Sequence, residues 1–178
     1  MSCDNSEKKV DQLAIANDYY KALDNSDDSL MTQLLTDSLL TKETEYDYEQ
    51  TFKLKEYIEW MKWDAVFDPN YEILQIFQEG EVVKAKISKI DKRILFLHEE
   101  PIVTNQILRF NNDKIVSIET TKYVFFNDSL FIKNRDTLVS WVDKNHPELN
   151  GFLHDQTEAG GMKYLKAIEL YKSNNQHK

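Results

Sequence analysis

A chain of 178 residues with a formal charge of -9, a single cysteine and 41% hydrophobic residues suits one domain with appendages, able to bury about 70% of its unfolded surface without covalent staples. The acidic balance and the lack of any Lys/Arg run argue against recognition of a nucleic-acid backbone. The lone cysteine excludes an internal disulfide and any multi-cysteine metal site, and no apolar run reaches the roughly 20 residues of a membrane-crossing helix.

Residues 1–6 are expected to be a flexible polar leader, with two readings. As the start of a cytoplasmic protein, the leader makes Cys3 incidental. Alternatively, Ser2-Cys3 followed by a polar tether resembles the cleavage end of a bacterial lipoprotein signal, which would make Cys3 a lipidation site and place the protein at the cell envelope.

Between Glu7 and Leu23, the residues Val10, Leu13, Ala16, Tyr20 and Leu23 recur at steps of three and four, the stripe of an amphipathic helix. Ser26 is positioned to cap a second helix with Leu30, Met31, Leu34 and Leu35 inward. Leu39 to Gln50 reads as one strand, and Thr51 as the cap of a third helix carrying Leu54, Tyr57, Ile58 and Met61 on one stripe, with Trp60, Trp63 and Phe67 on another.

From Asn70 the pattern changes to a period of two. Tyr71 to Phe77, a turn at Gly80, and Glu81 to Ile90 with Val83, Ala85 and Ile87 on one side predict a hairpin. Asp91-Lys92-Arg93 reads as a second turn. Ile94 to His98 and Ile102 to Phe110 read as strand broken at Pro101, and Ile115 to Phe126 as the last strand. Strands joined so tightly predict one antiparallel sheet whose apolar face the helices cover.

This order, with Tyr20-Lys21-Ala22-Leu23, Asp27, Leu34-Leu35-Thr36-Asp37, Tyr57-Ile58-Glu59-Trp60 and Asp113-Lys114-Ile115 at their places, resembles the NTF2-like superfamily over residues 7–126. SnoaL-like cyclases and ketosteroid isomerase share that fold. The resemblance implies an α+β cone in which N-terminal helices pack on a curved sheet around a pocket open at one end. Its members are enzymes, small-molecule binders or protein-docking modules, so monomer and homodimer both stay open.

Residues 127–178 depart from that pattern and predict a helical C-terminal extension. Asp136 is placed to cap a helix that Pro147 stops, and Asp155 opens a last helix through Lys172 despite Gly160-Gly161. Its apolar load requires docking on the domain, either on the outer sheet face or at the pocket mouth.

Chemistry-bearing motifs are few. His146 and His154, beside Glu148 and Asp155, lack the spacing of metal ligands, and His98-Glu99 point to opposite sides of a strand. No metal or cofactor is expected. The resemblance to ketosteroid isomerase implies Tyr19 or Tyr20 as oxyanion donor and Asp47 or Glu45 as base. Glu119 is the only acid within the last strand to stand for the third group, and the match there is incomplete. The expectation is therefore a non-catalytic binding or scaffolding protein. Its aromatic pocket, drawn from Tyr46, Tyr48, Trp60, Trp63 and Tyr123 with His98 and Arg109 as polar anchors, would take a small apolar molecule or a protein partner. An isomerase, cyclase or dehydratase is the alternative.

Overall fold

A computed structural model of the chain describes residues 11–176. Cys3, the leader and the start of the first predicted helix lie outside the described residues.

Helix α1 (Gln12–Asp24) begins where the Asp11 carboxylate accepts from the Ala14 amide. Helix α2 (Asp28–Leu34) is capped by Asp27 and not by Ser26, which takes a positive φ of 52° to turn the chain. The predicted strand from Leu39 to Gln50 is two strands, β1 (Leu35–Glu43) and β2 (Tyr48–Lys53), because a 3-10 turn at Thr44–Tyr46 and a left-handed Asp47 fold it into a hairpin. Thr51 consequently sits in β2. Helix α3 (Leu54–Ala65) starts instead where the Glu56 carboxylate accepts from the Lys53 amide.

Strands β3 (Asn70–Glu79) and β4 (Val82–Ile90) form the expected hairpin, with Val83, Ala85 and Ile87 buried. The segment after it is helical. In α4 (Lys92–Leu97) the Asp91 carboxylate accepts from the Ile94 amide, and this cap outweighs the strand-like run of Ile94, Leu95 and Phe96. Strands β5 (Ile102–Asn111) and β6 (Lys114–Phe125) close the sheet, whose order is β2-β1-β6-β5-β4-β3. The expected antiparallel pairing holds except between β1 and β6, which run parallel. Irregular registers at Ile73/Gln75, Val103/Thr104, Asn105/Gln106 and Arg109/Phe110 add the bulges that bend a flat sheet into a cone.

The extension is one long helix, α5 (Asp128–Asn145), and a final helix, α6 (Glu158–Gln176). Asn127 caps α5, so Asp136 lies within the helix and does not start it. At α6 the Thr157 hydroxyl accepts from the Gly160 amide while Asp155 holds Thr157.

Two apolar cores result. One lies between α1, α2, α3 and the concave sheet face, around Tyr20, Met31, Leu35, Leu39, Leu108 and Ile115. The other joins the far end of α3 to α4, α5 and α6 through Trp63, Phe67, Leu97, Leu138, Phe152 and Ile168. Among the described residues no helix is long and apolar enough to cross a membrane.

Candidate ligand-binding cavity

The concave face and the extension enclose a cavity of about 540 Å³. Strand alternation decides who faces it. On β5 and β6, Ile102, Thr104, Gln106 and Thr120 point inward, which sends Arg109 and Glu119 to the outer face, where they pair at 2.8 Å.

Helices α1 and α3 supply tyrosines to the inner end. The Tyr19 and Tyr57 hydroxyls lie 2.6 Å apart, and the Tyr20 hydroxyl donates to Gln106 Oε1 at 2.8 Å. Burial pushes all three phenols above their ordinary value.

Beside them is a cluster of charged groups. Asp64, 2% exposed, accepts from the Tyr71 hydroxyl at 2.7 Å and from Lys89 Nζ at 2.5 Å. Lys89 also faces Asp91 at 3.6 Å, and Arg93 faces the same Asp91 oxygen at 3.5 Å. Aromatic rings also pack against both cations. Lys89 lies over Trp60 and Tyr71, and Arg93 over Trp63 and Phe67. Burial by itself would lower the Arg93 pKa, but Asp91 and then Asp64 outweigh it and hold it above its ordinary value. Burial, then the Asp64 charge and hydrogen bond, pushes the Tyr71 phenol up. Neither Asp64 nor Lys89 nor Arg93 stood out in the sequence, although an aspartate inside the apolar run Trp63-Asp64-Ala65-Val66-Phe67 was a signal for a buried, partnered charge.

The open end carries Tyr46, Glu43, Tyr123 and, from α5, Asp128, Phe131 and Ile132. Tyr46 packs edge-on to Tyr123 with centroids 5.3 Å apart, and the Tyr123 hydroxyl donates to Glu43 at 3.0 Å while its amide donates to Glu45 at 2.6 Å.

The structure thus brings Tyr20, Tyr46, Trp60, Trp63 and Tyr123 to one cavity. It places Tyr48, Arg109 and His98 elsewhere. Tyr48 is half-exposed on β2 and donates to Gln50. His98 is buried at the end of α4, its Nδ1–H donating to the Glu100 carbonyl and its Nε2 accepting from the Asn127 amide, both at 2.7 Å. The carbonyl can only accept and the amide can only donate, so the ring is the neutral Nδ1–H tautomer. Asp47 sits exposed in the β1–β2 turn, and the Glu119 carboxylate accepts from Thr44 and Arg109 on the outer face. His146 pairs with Glu148 at 3.0 Å and His154 is exposed. Among the described residues no group of three or more His, Cys, Asp or Glu side chains is arranged to hold a metal.

No family model and no curated protein matches this sequence. Solved structures share its fold. A candidate ketosteroid isomerase from Kribbella flavida superposes with a TM-score of 0.54 at 11% identity, over 65% of this chain and 79% of that one. An NTF2-like protein of unknown function from Cytophaga hutchinsonii gives 0.52 at 11% identity, over 71% and 98%. IdmH, a candidate polyketide cyclase from Streptomyces antibioticus, gives 0.51 at 11% identity, over 69% and 96%. Likeness at such low identity shows the fold alone, and the fold is the NTF2-like cone.

Proposed function

We propose that this NTF2-like chain binds a small, largely apolar molecule inside the cone and performs no chemistry on it. The cavity volume of about 540 Å³ falls within the range of small-molecule sites, and aromatic rings with polar tips suit a ligand with one wet end. One observation carries the non-catalytic reading: the carboxylate beside the buried tyrosines, Asp64, is committed to protein partners, and the wall carboxylates Glu43 and Asp128 lie away from those hydroxyls at the open end. Asp64 is held by Tyr71 and Lys89, and Glu43 by Tyr123. A general base must reach a substrate proton, and Asp47 and Glu119, which the resemblance would offer for acid-base work, face away from the cavity.

The enzymatic alternative rests on Tyr19, a cavity residue whose hydroxyl is paired with Tyr57 and so has the form of an oxyanion donor. A donor with no free base beside it favours binding over turnover.

Nile red, an uncharged fluorescent dye, tests the reading. It should bind the full chain saturably at one site, and Thr104→Trp, which fills the cavity from β5 without removing a wall, should abolish that binding while the variant stays folded by circular dichroism. Binding that survives Thr104→Trp would place the dye elsewhere and overturn the assignment.

A further inference from the structure

The cavity wall is not electrically balanced, and the imbalance lies at its open end. Its charged lining residues are Lys89, Arg93, Arg135, Glu43 and Asp128. Each cation has a carboxylate of its own: Lys89 has Asp64, Arg93 has Asp91, and Arg135 has Asp136 at 2.8 Å. Among the described residues neither Glu43 nor Asp128 is in an ion pair. Glu43 receives one neutral hydrogen bond from Tyr123, and Glu45 lies against the same tyrosine.

Aromatic rings frame these two carboxylates. Tyr46 and Tyr123 meet edge to face, and Tyr123 lies against Phe126 with centroids 5.2 Å apart. All three line the cavity. At the inner end three of the lining rings carry a protein cation, Lys89 on Trp60 and Tyr71 and Arg93 on Trp63. Among the described residues no protein cation covers Tyr46, Tyr123 or Phe126. Glu43 and Asp128 share the open-end wall with Tyr46, and the Tyr46 phenol is held above its ordinary value first by desolvation and then by Asp128, Glu43 and Glu45.

From this arrangement, and resting on the small-molecule reading above, we propose that the ligand is an organic cation. Its amine or quaternary ammonium head sits among Tyr46, Tyr123 and Phe126 beside Glu43 and Asp128, and its apolar body runs inward toward Trp60. The ring quadrupoles attract positive charge and the unpaired carboxylates supply the counter-charge. A carboxylate ligand would meet the same two groups with repulsion.

Three probes with one phenylbutyl body separate the possibilities: the trimethylammonium, its uncharged tert-butyl isostere, and the carboxylate, each titrated into the full chain by calorimetry at low salt. The cation should bind about tenfold more tightly than the isostere, and the difference should shrink at high salt. Glu43→Gln with Asp128→Asn should remove the preference and leave the isostere unchanged. Tyr46→Leu, at a half-exposed position that tolerates change, should weaken the cation alone and serves should the double variant misfold. An isostere or carboxylate that binds as tightly as the cation overturns the charge assignment and keeps the cavity. Failure of all three probes to bind overturns the small-molecule reading itself.

Discussion

The hydroxyl oxygens of Tyr19 and Tyr57 lie 2.6 Å apart at the inner end of the cavity, joining α1 to α3 where both side chains are buried. Each is the other's partner, so removing one leaves a buried hydroxyl to bear its own desolvation. Tyr57→Phe and Tyr19→Phe should each cost about 1 to 3 kcal/mol, and the double variant should cost less than the two together. Urea melts of the four proteins in the cycle measure the coupling. Strict additivity would mean that the two hydroxyls do not depend on each other.

Trp60 and Trp63 share α3 but not a task. Trp63 is 5% exposed and wedged between Phe67, the Arg93 guanidinium and Gly161 of α6, whereas Trp60 is half-buried against Tyr57 and the cavity. Trp63→Ala should cost about 3 to 5 kcal/mol by opening a core void. Trp60→Ala should cost clearly less and should instead weaken Nile red binding. Equal losses in urea midpoints would contradict this division.

Gly160 is required by a close approach and not by its backbone angles. A Cβ there would stand 2.0 Å from the Asp155 carbonyl oxygen, so the loop entering α6 has no room for one. Gly160→Ala gains about 1 kcal/mol of helix propensity, yet it should destabilise the protein by about 1 to 3 kcal/mol because backbone must move. A thermal midpoint at or above the parent would show that the loop yields freely.

His98 ties the end of α4 to the start of α5 through both ring nitrogens. His98→Phe keeps the stacking on Phe126 but strands a carbonyl and an amide, at a cost of about 1 to 3 kcal/mol. Amide hydrogen exchange should accelerate in the first turn of α5. Unchanged exchange there would mean that the packing of Phe126 on Phe131 holds the helix by itself.

The hydrogen bonds from Thr44 and Arg109 hold the Glu119 carboxyl below its ordinary value. A depressed folded-state pKa gives stability that is present above the unfolded value of about 4.3 and is lost as pH falls through the folded one. Glu119→Gln should therefore cost about 0.2 to 1 kcal/mol at pH 7 and close to nothing in acid below the folded pKa. A stability difference that persists unchanged into that acid range would assign the effect to packing.

Much of this molecule follows from local pattern. The period of two in Val83, Ala85 and Ile87, the turn at Gly80 and the stripes of α1 and α3 specify hairpin and helices, because neighbouring residues alone set which side is apolar. Tyr46, Trp60, Trp63 and Tyr123, singled out in the sequence because the aromatics exceed what a core requires, all reach the cavity wall, although Trp63 is also buried in the second core. Residues 94–98 were misread because a short apolar run suits strand and helix alike, and the Asp91 cap decided between them. Arg109 and His98 looked like polar anchors, yet strand alternation carried one to the outer face and two backbone groups claimed the other. The charged cluster could not be read in advance, since Lys89 meets Asp64 across 25 residues and Tyr19 meets Tyr57 across 38. Such pairings depend on how the bulged sheet curves and on where α5 and α6 dock, and those are properties of packing that no single segment encodes.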